Sequence, residues 1–357
     1  MKKLILLLSF FSTISFAQNG EILRGQIEKT LIYDLMGVDT AELTGWVIGC
    51  IDHDSMWTFG YGRISKETKV KPDGNTIFEV GGVTKIFTST VAQLMIKKGT
   101  LNENEPINTY LKTEQQFPLG NKITVLQLLT NTSGLPKLTD DQGDKEKSHD
   151  QPYENYTEGA FFESLKRLDS TNLKVGKYLY SHLNHAVLEK IITHQNGFYD
   201  LQNIESQRFM DTIYPSSQGY NPGQRAVSDW NFKETFKYSN GVKLNAKTIL
   251  NFLKTQINAT DTAQLAVFQD TQKPLFPTEM DKETFVGKAW HVIKHKKRAN
   301  ICLQTGSTNG HSAFVALVPA TKTGVIVLTN SRLVQMKMGM LVLKILNDNW
   351  RRKDDKF

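Results

Sequence analysis

The sequence predicts an α+β fold, an α/β sandwich in which helices flank an antiparallel sheet built from both ends of the chain. Three observations predict it: strand-like runs over 45–65, further strand-like runs beyond about 284, and helical, loop-rich sequence from about 100 to 235 between them. We therefore expect a mostly helical subdomain inserted into the sheet-bearing part. A cleft between the two parts is the natural place for a functional site.

The amino terminus, MKKLILLLSFFSTISFAQNG, has the organisation of a secretory signal peptide. Two lysines precede an apolar run from Leu4 to Phe16, and the small residues Ser15 and Ala17 predict cleavage after residue 17. The apolar run is too short to span a bilayer, and no cysteine follows it to take a lipid. We therefore expect export of the chain to the periplasm or the medium, with no membrane span.

The elements of the sheet-bearing part follow in order. Residues 21–36 have helix-like spacing, and GWVIGCIDHDSMWTFGYGRIS at 45–65 predicts a hairpin. A helix is predicted from Thr84 and is closed by Gly99. The last helix is predicted to cover the sheet with Met336, Met340, Leu343, Leu346 and Trp350. The predicted boundaries are a signal peptide at 1–17, a domain at 18–350 with its α/β part at about 21–95 and 236–350 and its helical insertion at about 100–235, and a charged tail at 351–357.

Charge and cysteine content exclude some functions. The formal net charge of +7 is modest and spread along the chain, so we expect no nucleic-acid partner. The basic run KHKKR at 294–298 is predicted to be a solvated hairpin tip, with a polyanion-binding patch as the alternative. Two cysteines are too few for a disulfide framework. The spacing of Cys50 and Cys302 leaves open either a single bridge or two buried thiols on strands.

Five ordered segments carry a resemblance to a known group of proteins. They are FEVGGVTK (78–85), LLTNTSGLP (128–136), YSHLNHAVL (180–188), LQTGSTNGHSAFVALVP (303–319) and GVIVLTN (324–330). In this order they resemble the serine β-lactamases and penicillin-binding DD-peptidases, in particular the class C β-lactamase-like branch with its related esterases and peptidases. The resemblance covers most of residues 22–350 and implies a β-lactamase/transpeptidase-like fold and acyl-transfer chemistry.

The resemblance also implies roles for particular residues. In this family a serine opens the motif S-x-x-K, a tyrosine from Y-x-N helps to move the proton, and a strand with K-T-G or H-T-G borders the substrate. Lys85 and Tyr180 match and are the retained catalytic candidates. The nucleophile's position is occupied by Gly82, which has no side chain to attack with. His182 stands where asparagine is usual, and Gln304 where lysine or histidine is usual.

The substrate-binding candidates line the same predicted cleft. They are Gly82, His182, Gln304, Thr305, Gly306 and Ser307. We expect the backbone N–H groups of Gly82 and Ser307 to form an oxyanion hole, because backbone donors survive the loss of a side chain.

Other residues of suggestive type have simpler interpretations. Thr68 and Thr171 each precede a lysine at the S-x-x-K spacing, but both lie in polar connectors, and Thr84 should point about 100° away from Lys85. The tripeptides Lys322-Thr323-Gly324 and Ser228-Asp229-Trp230 are predicted to be chance matches to family motifs. His182 and His185 have a spacing that could join two zinc ligands, but hydrogen-bonding roles are favoured. We predict no metal and no cofactor.

The resulting functional hypothesis is an exported β-lactamase-like pseudoenzyme. Its cleft would bind a small molecule or peptide, a cell-wall fragment or a partner protein. The alternative is an active hydrolase of the β-lactamase, DD-peptidase or esterase type. Such an enzyme would use an activated water or another nucleophile. Alternatively, the chain is a variant of an active enzyme in which glycine has replaced the serine at position 82. A purely structural envelope protein with no ligand is a third hypothesis.

Overall fold

The fold is described from a computed structural model of the chain. The described residues are 20–29, 44–139, 151–154, 156–169, 174–197, 214–232, 234–296, 298–331 and 335–354. The predicted signal peptide and the charged tail beyond residue 354 lie outside them, as do residues 30–36 of the first helix-like segment.

Helices and strands have the following bounds. The strands are β1 (Trp46–Asp52), β2 (Ser55–Tyr61), β3 (Ile77–Glu79), β4 (Gly219–Tyr220), β5 (Ala226–Val227), β6 (Lys243–Asn245), β7 (Phe276–Pro277), β8 (Thr284–Val286), β9 (His291–Ile293), β10 (Ile301–Ser307), β11 (Ser312–Val318) and β12 (Thr323–Thr329). The helices are α1 (20–29), α2 (Thr84–Lys97), α3 (Val125–Leu129), α4 (Glu158–Lys166), α5 (His182–Ile192), α6 (Lys237–Asn240), α7 (Ala246–Asn258), α8 (Thr262–Gln272) and α9 (Gln335–Asp354). Short 3₁₀ turns lie at Gly81–Val83, Ile107–Tyr110, Thr113–Gln115, Pro118–Asn121 and Pro319–Thr321, and a π turn at Thr193–Gly197.

The main sheet confirms the predicted α+β architecture. In the described part of the chain its eight strands follow the order β2-β1-β12-β11-β10-β9-β8-β7, with antiparallel pairing throughout. The amino-terminal hairpin of β1 and β2 therefore pairs with the last strand, β12, and the sheet is built from both chain ends. Two smaller sheets pair β3 with β6 and β4 with β5.

Both faces of the sheet are covered, because the central strands are apolar on both sides. Along β11, Ala313, Val315 and Leu317 enter one core, while Phe314 and Ala316 enter the other. Helices α1 and α9 pack on the second face, and α7 packs on the first. The first core continues into the helical segment between the chain ends, so it joins the sheet to the insertion.

The terminal helix packs on the sheet as predicted, but its buried face is rotated. Met336 is 49% exposed, whereas Met338 and Val342 are fully buried with Leu343 and Leu346. The side chain of Trp350 lies outside the described residues. The prediction was right for Leu343, Leu346 and the partly buried Met340, wrong for Met336, and it missed Met338 and Val342, which lie on the same face as Leu346.

The cysteines are two separate thiols. Both are free and buried, and they belong to opposite cores, Cys50 on β1 and Cys302 on β10. Two strands, β12 and β11, lie between β1 and β10, which separates the two backbones by about 14 Å. This exceeds the reach of a disulfide, so the alternative of two buried thiols is correct.

Among the described residues, no helix has the length and apolarity needed to cross a bilayer. The basic run at 294–298 lies in the connector between β9 and β10, where residues 294, 296 and 298 are exposed.

Candidate active site

A glycine-rich turn delivers the chain from β3 into α2. Gly81 has a φ of +50°, a left-handed conformation that favours glycine, and a 3₁₀ turn over Gly81–Val83 leads directly into the helix. No side chain caps the start of α2. The turn packs against β10, and Gly81, Gly82 and Lys85 are all buried.

The position predicted for the nucleophile is closely packed. A Cβ atom built on Gly82 would lie 2.7 Å from the carbonyl oxygen of Thr305, closer than side-chain carbons approach backbone oxygens, and 3.1 Å from the hydroxyl of Tyr180. Gly306 has the same constraint from the other side, because a Cβ there would overlap the carbonyl oxygen of Val80. The turn and the strand therefore meet through glycines, and a side chain at residue 82 requires β10 to move.

Lys85 is fully buried and hydrogen-bonded. Its Nζ donates to the carbonyl oxygen of Ser239 at 3.0 Å and to Oδ1 of Asn240 at 2.6 Å, and it lies 5.3 Å from the centre of the Tyr180 ring. Burial lowers the pKa of Lys85 to about 7. A neutral amine donates its two N–H bonds to these two acceptors and keeps a lone pair, which is the form a general base requires.

Asn240 is a site residue that the sequence analysis missed. Its Oδ1 accepts from Lys85, while Nδ2 donates to Nδ1 of His182 at 2.5 Å and to the hydroxyl of Tyr153 at 3.3 Å. The amide thus joins α2 to the start of α5, since α6 packs against both helices. A signal was present in the sequence, because Tyr238-Ser239-Asn240 has the Y-x-N pattern that the tripeptide at Tyr180 lacks.

His182 and Tyr180 complete this group. Because Asn240 Nδ2 is the donor, His182 Nδ1 must be the acceptor, so its proton is on Nε2. Burial, followed by the charge of Lys85, lowers the pKa of His182 well below its usual value. The Tyr180 ring meets the His182 ring edge-on at 5.2 Å, and burial raises the Tyr180 pKa.

The strand predicted to border the substrate is in place. Gln304 is buried, with Nε2 donating to the Ala289 carbonyl and Oε1 accepting the Thr305 N–H at 2.9 Å, so its amide joins β10 to the segment just before β9. Thr305 is partly exposed and Ser307 is exposed, on the same side of the strand. The structure therefore brings Gly82, Tyr180, Thr305 and Gly306 together, with Ser307 beside Gly81.

A hydrogen bond joins the sheet to the helical part beside this group. The hydroxyl of Tyr178, two residues before Tyr180, lies 2.7 Å from Nε2 of His291 on β9. Burial lowers the pKa of His291 to about 4, so the imidazole is neutral at pH 7 and shares one hydrogen bond with the phenol.

The remaining candidates lie apart from this group. His185 Nε2 contacts the hydroxyl of Ser89 at 3.1 Å inside the core, so it does not share a ligand position with His182. The hydroxyl of Thr84 accepts the N–H of Val242 rather than facing the cleft. Lys322-Thr323-Gly324 forms the turn into β12, and Thr171 lies outside the described residues.

Fold and site together define a class: a β-lactamase/transpeptidase-like protein in which Lys85 and Tyr180 lie close to each other and to Gly82. The chain belongs to the Beta-lactamase family, which matches it over residues 34–338. It is 25% identical over 328 residues to a β-lactamase of Pseudomonas fluorescens, covering 81% of this chain and 89% of that protein. It is 23% identical to the D-alanyl-D-alanine-carboxypeptidase/endopeptidase AmpH of Escherichia coli K12, covering 82% of this chain and 81% of AmpH.

Solved structures agree on the fold. A β-lactamase/D-alanine carboxypeptidase from Pseudomonas syringae superposes with a TM-score of 0.73 at 18% identity, covering 91% of this chain and 99% of that chain. A class C β-lactamase superposes with a TM-score of 0.75 at 20% identity, covering 91% and 97%.

Proposed function

We propose that this chain is an exported pseudoenzyme of the β-lactamase family whose cleft binds a peptide or cell-wall fragment without forming an acyl-enzyme. One observation carries the proposal: residue 82 has no nucleophile, and the carbonyl oxygen of Thr305 lies only 2.7 Å from the position that its Cβ would take. Loss of one member of a cooperating catalytic set removes most of the rate, because the others act through it.

A binding role is supported by the polar groups that remain. Tyr180 and Thr305 are partly exposed beside Gly82, and Ser307 is exposed at the end of β10. Because AmpH carries the name of a D-alanyl-D-alanine-carboxypeptidase, a peptide ending in D-alanyl-D-alanine is the appropriate first ligand. Backbone N–H groups of Gly82 and Ser307 are the proposed donors to its carbonyl or carboxylate.

The first experiment is covalent labelling by a fluorescent penicillin, with the intact mass measured. We expect no adduct on the purified mature protein, hereafter the parent, and the detection of an adduct on it would overturn the proposal. Binding of the D-alanyl-D-alanine peptide is then measured by calorimetry for the parent, Tyr180→Phe and Tyr61→Phe. Tyr61 is the matched control, since it lies in the opposite core. If Tyr180→Phe binds the peptide more weakly and Tyr61→Phe does not, the result supports the cleft as the binding site. No binding by the parent favours a purely structural envelope protein.

A second candidate is direct hydrolysis by an activated water. It is favoured by Lys85, whose lowered pKa of about 7 leaves much of the amine neutral at pH 7, beside the hydroxyl-bearing ring of Tyr180. In this scheme Lys85 and Tyr180 polarise a water that attacks the bound carbonyl. The scheme fails if Lys85→Ala and Tyr180→Phe leave any measured hydrolysis of a chromogenic ester or cephalosporin unchanged.

A further inference from the structure

A second polar cluster includes Glu79, which lies three residues before Gly82. It consists of Glu79, Asp229 and His311, whose facing atoms all lie within 4.8 Å of one another. Glu79 ends β3, Asp229 lies two residues after β5, and His311 lies in the turn between β10 and β11. The side chains of Glu79 and His311 are 5% and 1% exposed, whereas that of Asp229 is 34% exposed.

The spacing of the facing atoms fits a small cation. Nδ1 of His311 lies 3.3 Å from Oε2 of Glu79 and 4.0 Å from Oδ1 of Asp229. Ligand atoms about 2.0 Å from a tetrahedral ion are separated by about 3.3 Å. The His311 and Glu79 atoms therefore already have the separation of two ligands. The Asp229 oxygen lies 4.0 Å from His311 and no more than 4.8 Å from Glu79, so a movement of up to about 1.5 Å brings in the third ligand.

In Glu79 and Asp229, the carboxylate oxygen that does not face the cluster accepts a hydrogen bond from another residue. Oε1 of Glu79 accepts the backbone N–H of Trp230 at 2.7 Å, and Oδ2 of Asp229 accepts from Nζ of Lys243 at 2.7 Å. The hydroxyl of Thr308 also donates to Glu79, at Oε2. Outer partners of this kind orient the ligands of protein metal sites.

The hydrogen bonds of His311 point to a cation as well. Its Nε2 lies 3.3 Å from the carbonyl oxygen and 3.0 Å from Oγ of Ser217, and that hydroxyl donates its proton to the Ile77 carbonyl at 2.9 Å. These acceptors place the imidazole proton on Nε2. Nδ1 faces the Glu79 and Asp229 carboxylates and lies within hydrogen-bonding distance of Oε2 of Glu79, at 3.3 Å. A bound ion would accept the Nδ1 lone pair in place of a proton at that position.

We infer that Glu79, Asp229 and His311 form a binding site for a divalent transition-metal ion such as Zn²⁺. One imidazole and two carboxylates are a donor set that suits such an ion. The partly exposed carboxylate of Asp229 gives the ion a path from solvent. The ion would link the end of β3, the segment after β5 and the β10–β11 turn. Glu79 lies three residues before Gly82 and the turn begins next to Ser307, so the ion would hold together two segments that adjoin the candidate site.

Calorimetric titration of the chelator-treated, untagged mature protein with Zn²⁺ tests this site. We expect one saturable equivalent in the parent, and a loss of affinity of at least about 10-fold to 100-fold in both His311→Gln and Asp229→Asn. Asp229 is part-exposed, so its variant keeps the test valid if the buried His311 substitution impairs folding. The matched control is His53→Gln, because Nδ1 of His53 lies 2.7 Å from Asp52 at the exposed β1–β2 turn, with no third ligand in the described residues.

A second readout is the unfolding temperature, which should rise with Zn²⁺ in the parent and in His53→Gln but not in His311→Gln. Absence of saturable binding by the parent overturns the inference. Binding that both cluster variants retain, or that His53→Gln abolishes, overturns it as well.

Discussion

The carbonyl oxygen of Thr305 lies 2.7 Å from the position that a Cβ atom on Gly82 would occupy. The strand that borders the substrate in this family therefore rests directly on the helix-entry turn. No cavity the size of a serine side chain is left at position 82, because β10 packs directly against Gly82. This relationship sets the expected outcome of restoring a side chain there.

Substitution of Gly82 is expected to destabilise the fold. Both Gly82→Ala and Gly82→Ser should lower the free energy of unfolding by about 1–3 kcal/mol, since the new Cβ forces the Thr305 backbone to shift. Denaturant unfolding measures this, with Gly159→Ala as the control because nothing lies within 4 Å of a Cβ there. We expect slow penicillin labelling of Gly82→Ser. Rapid labelling with unchanged stability would contradict the close packing.

Lys85 should give the protein a characteristic pH dependence. Its pKa is about 7 in the folded state and ordinarily about 10.5, so between these values the unfolded chain binds more protons and stability rises with pH. Relative to Lys85→Met, the parent should gain up to about 1.4 kcal/mol per pH unit between pH 7 and 10. Urea unfolding across this range measures the slope. A difference that does not change with pH would mean that Lys85 keeps its ordinary pKa.

Asn240 should control the protonation of Lys85. In Asn240→Asp a carboxylate replaces the amide oxygen that lies 2.6 Å from Nζ, and an adjacent negative charge favours the ammonium form. The pH window of the Lys85 effect should therefore move upward, as measured by the same unfolding series. Asn104→Asp, at an exposed position, is the control and should leave the window in place.

The fold could be predicted from the sequence because its signals are local and ordered. The hairpin of β1 and β2, the helix from Thr84 and the late strands each follow from a short apolar pattern, and the motif spacing pointed to Lys85 and Tyr180. The sequence does not show which residues of a central strand belong to which face of the sheet, because strands that are buried on both faces lack an alternating apolar and polar pattern. Cys50 and Cys302 therefore remained ambiguous until the strand order was known.

Contacts between distant residues were beyond the sequence. Asn240 lies 155 positions from Lys85, and His311 lies 232 positions from Glu79. No periodicity links such pairs, since only the packing of α6 on α2 and of β10 on the glycine turn brings them together. In the candidate site, the positions of Lys85 and Tyr180 could thus be predicted from family motifs, whereas the contacts of Asn240 and His311 could not.

The two cysteines should be unreactive in the native protein. Burial raises the pKa of Cys302 to about 12 and also raises that of Cys50, so neither forms the reactive thiolate at neutral pH. A maleimide should modify neither thiol in buffer and both in denaturant, as measured by intact mass. A native protein two daltons lighter than its sequence, as a disulfide requires, would contradict the separation of β1 and β10.

His291 should make the fold acid-sensitive. Its pKa is about 4 in the folded state and ordinarily about 6.5, so the unfolded chain binds more protons between these values and stability falls as the pH drops through them. The glutamine of His291→Gln can still form a hydrogen bond with the Tyr178 hydroxyl, because its amide both donates and accepts, but it does not titrate. The stability advantage of the parent over this variant should therefore shrink by up to about 1.4 kcal/mol per pH unit from pH 6.5 to 4, whereas the difference from Tyr178→Phe should change less. Equal acid sensitivity of the parent and His291→Gln would place the lost stability on His182 and His185, whose pKa values burial also lowers.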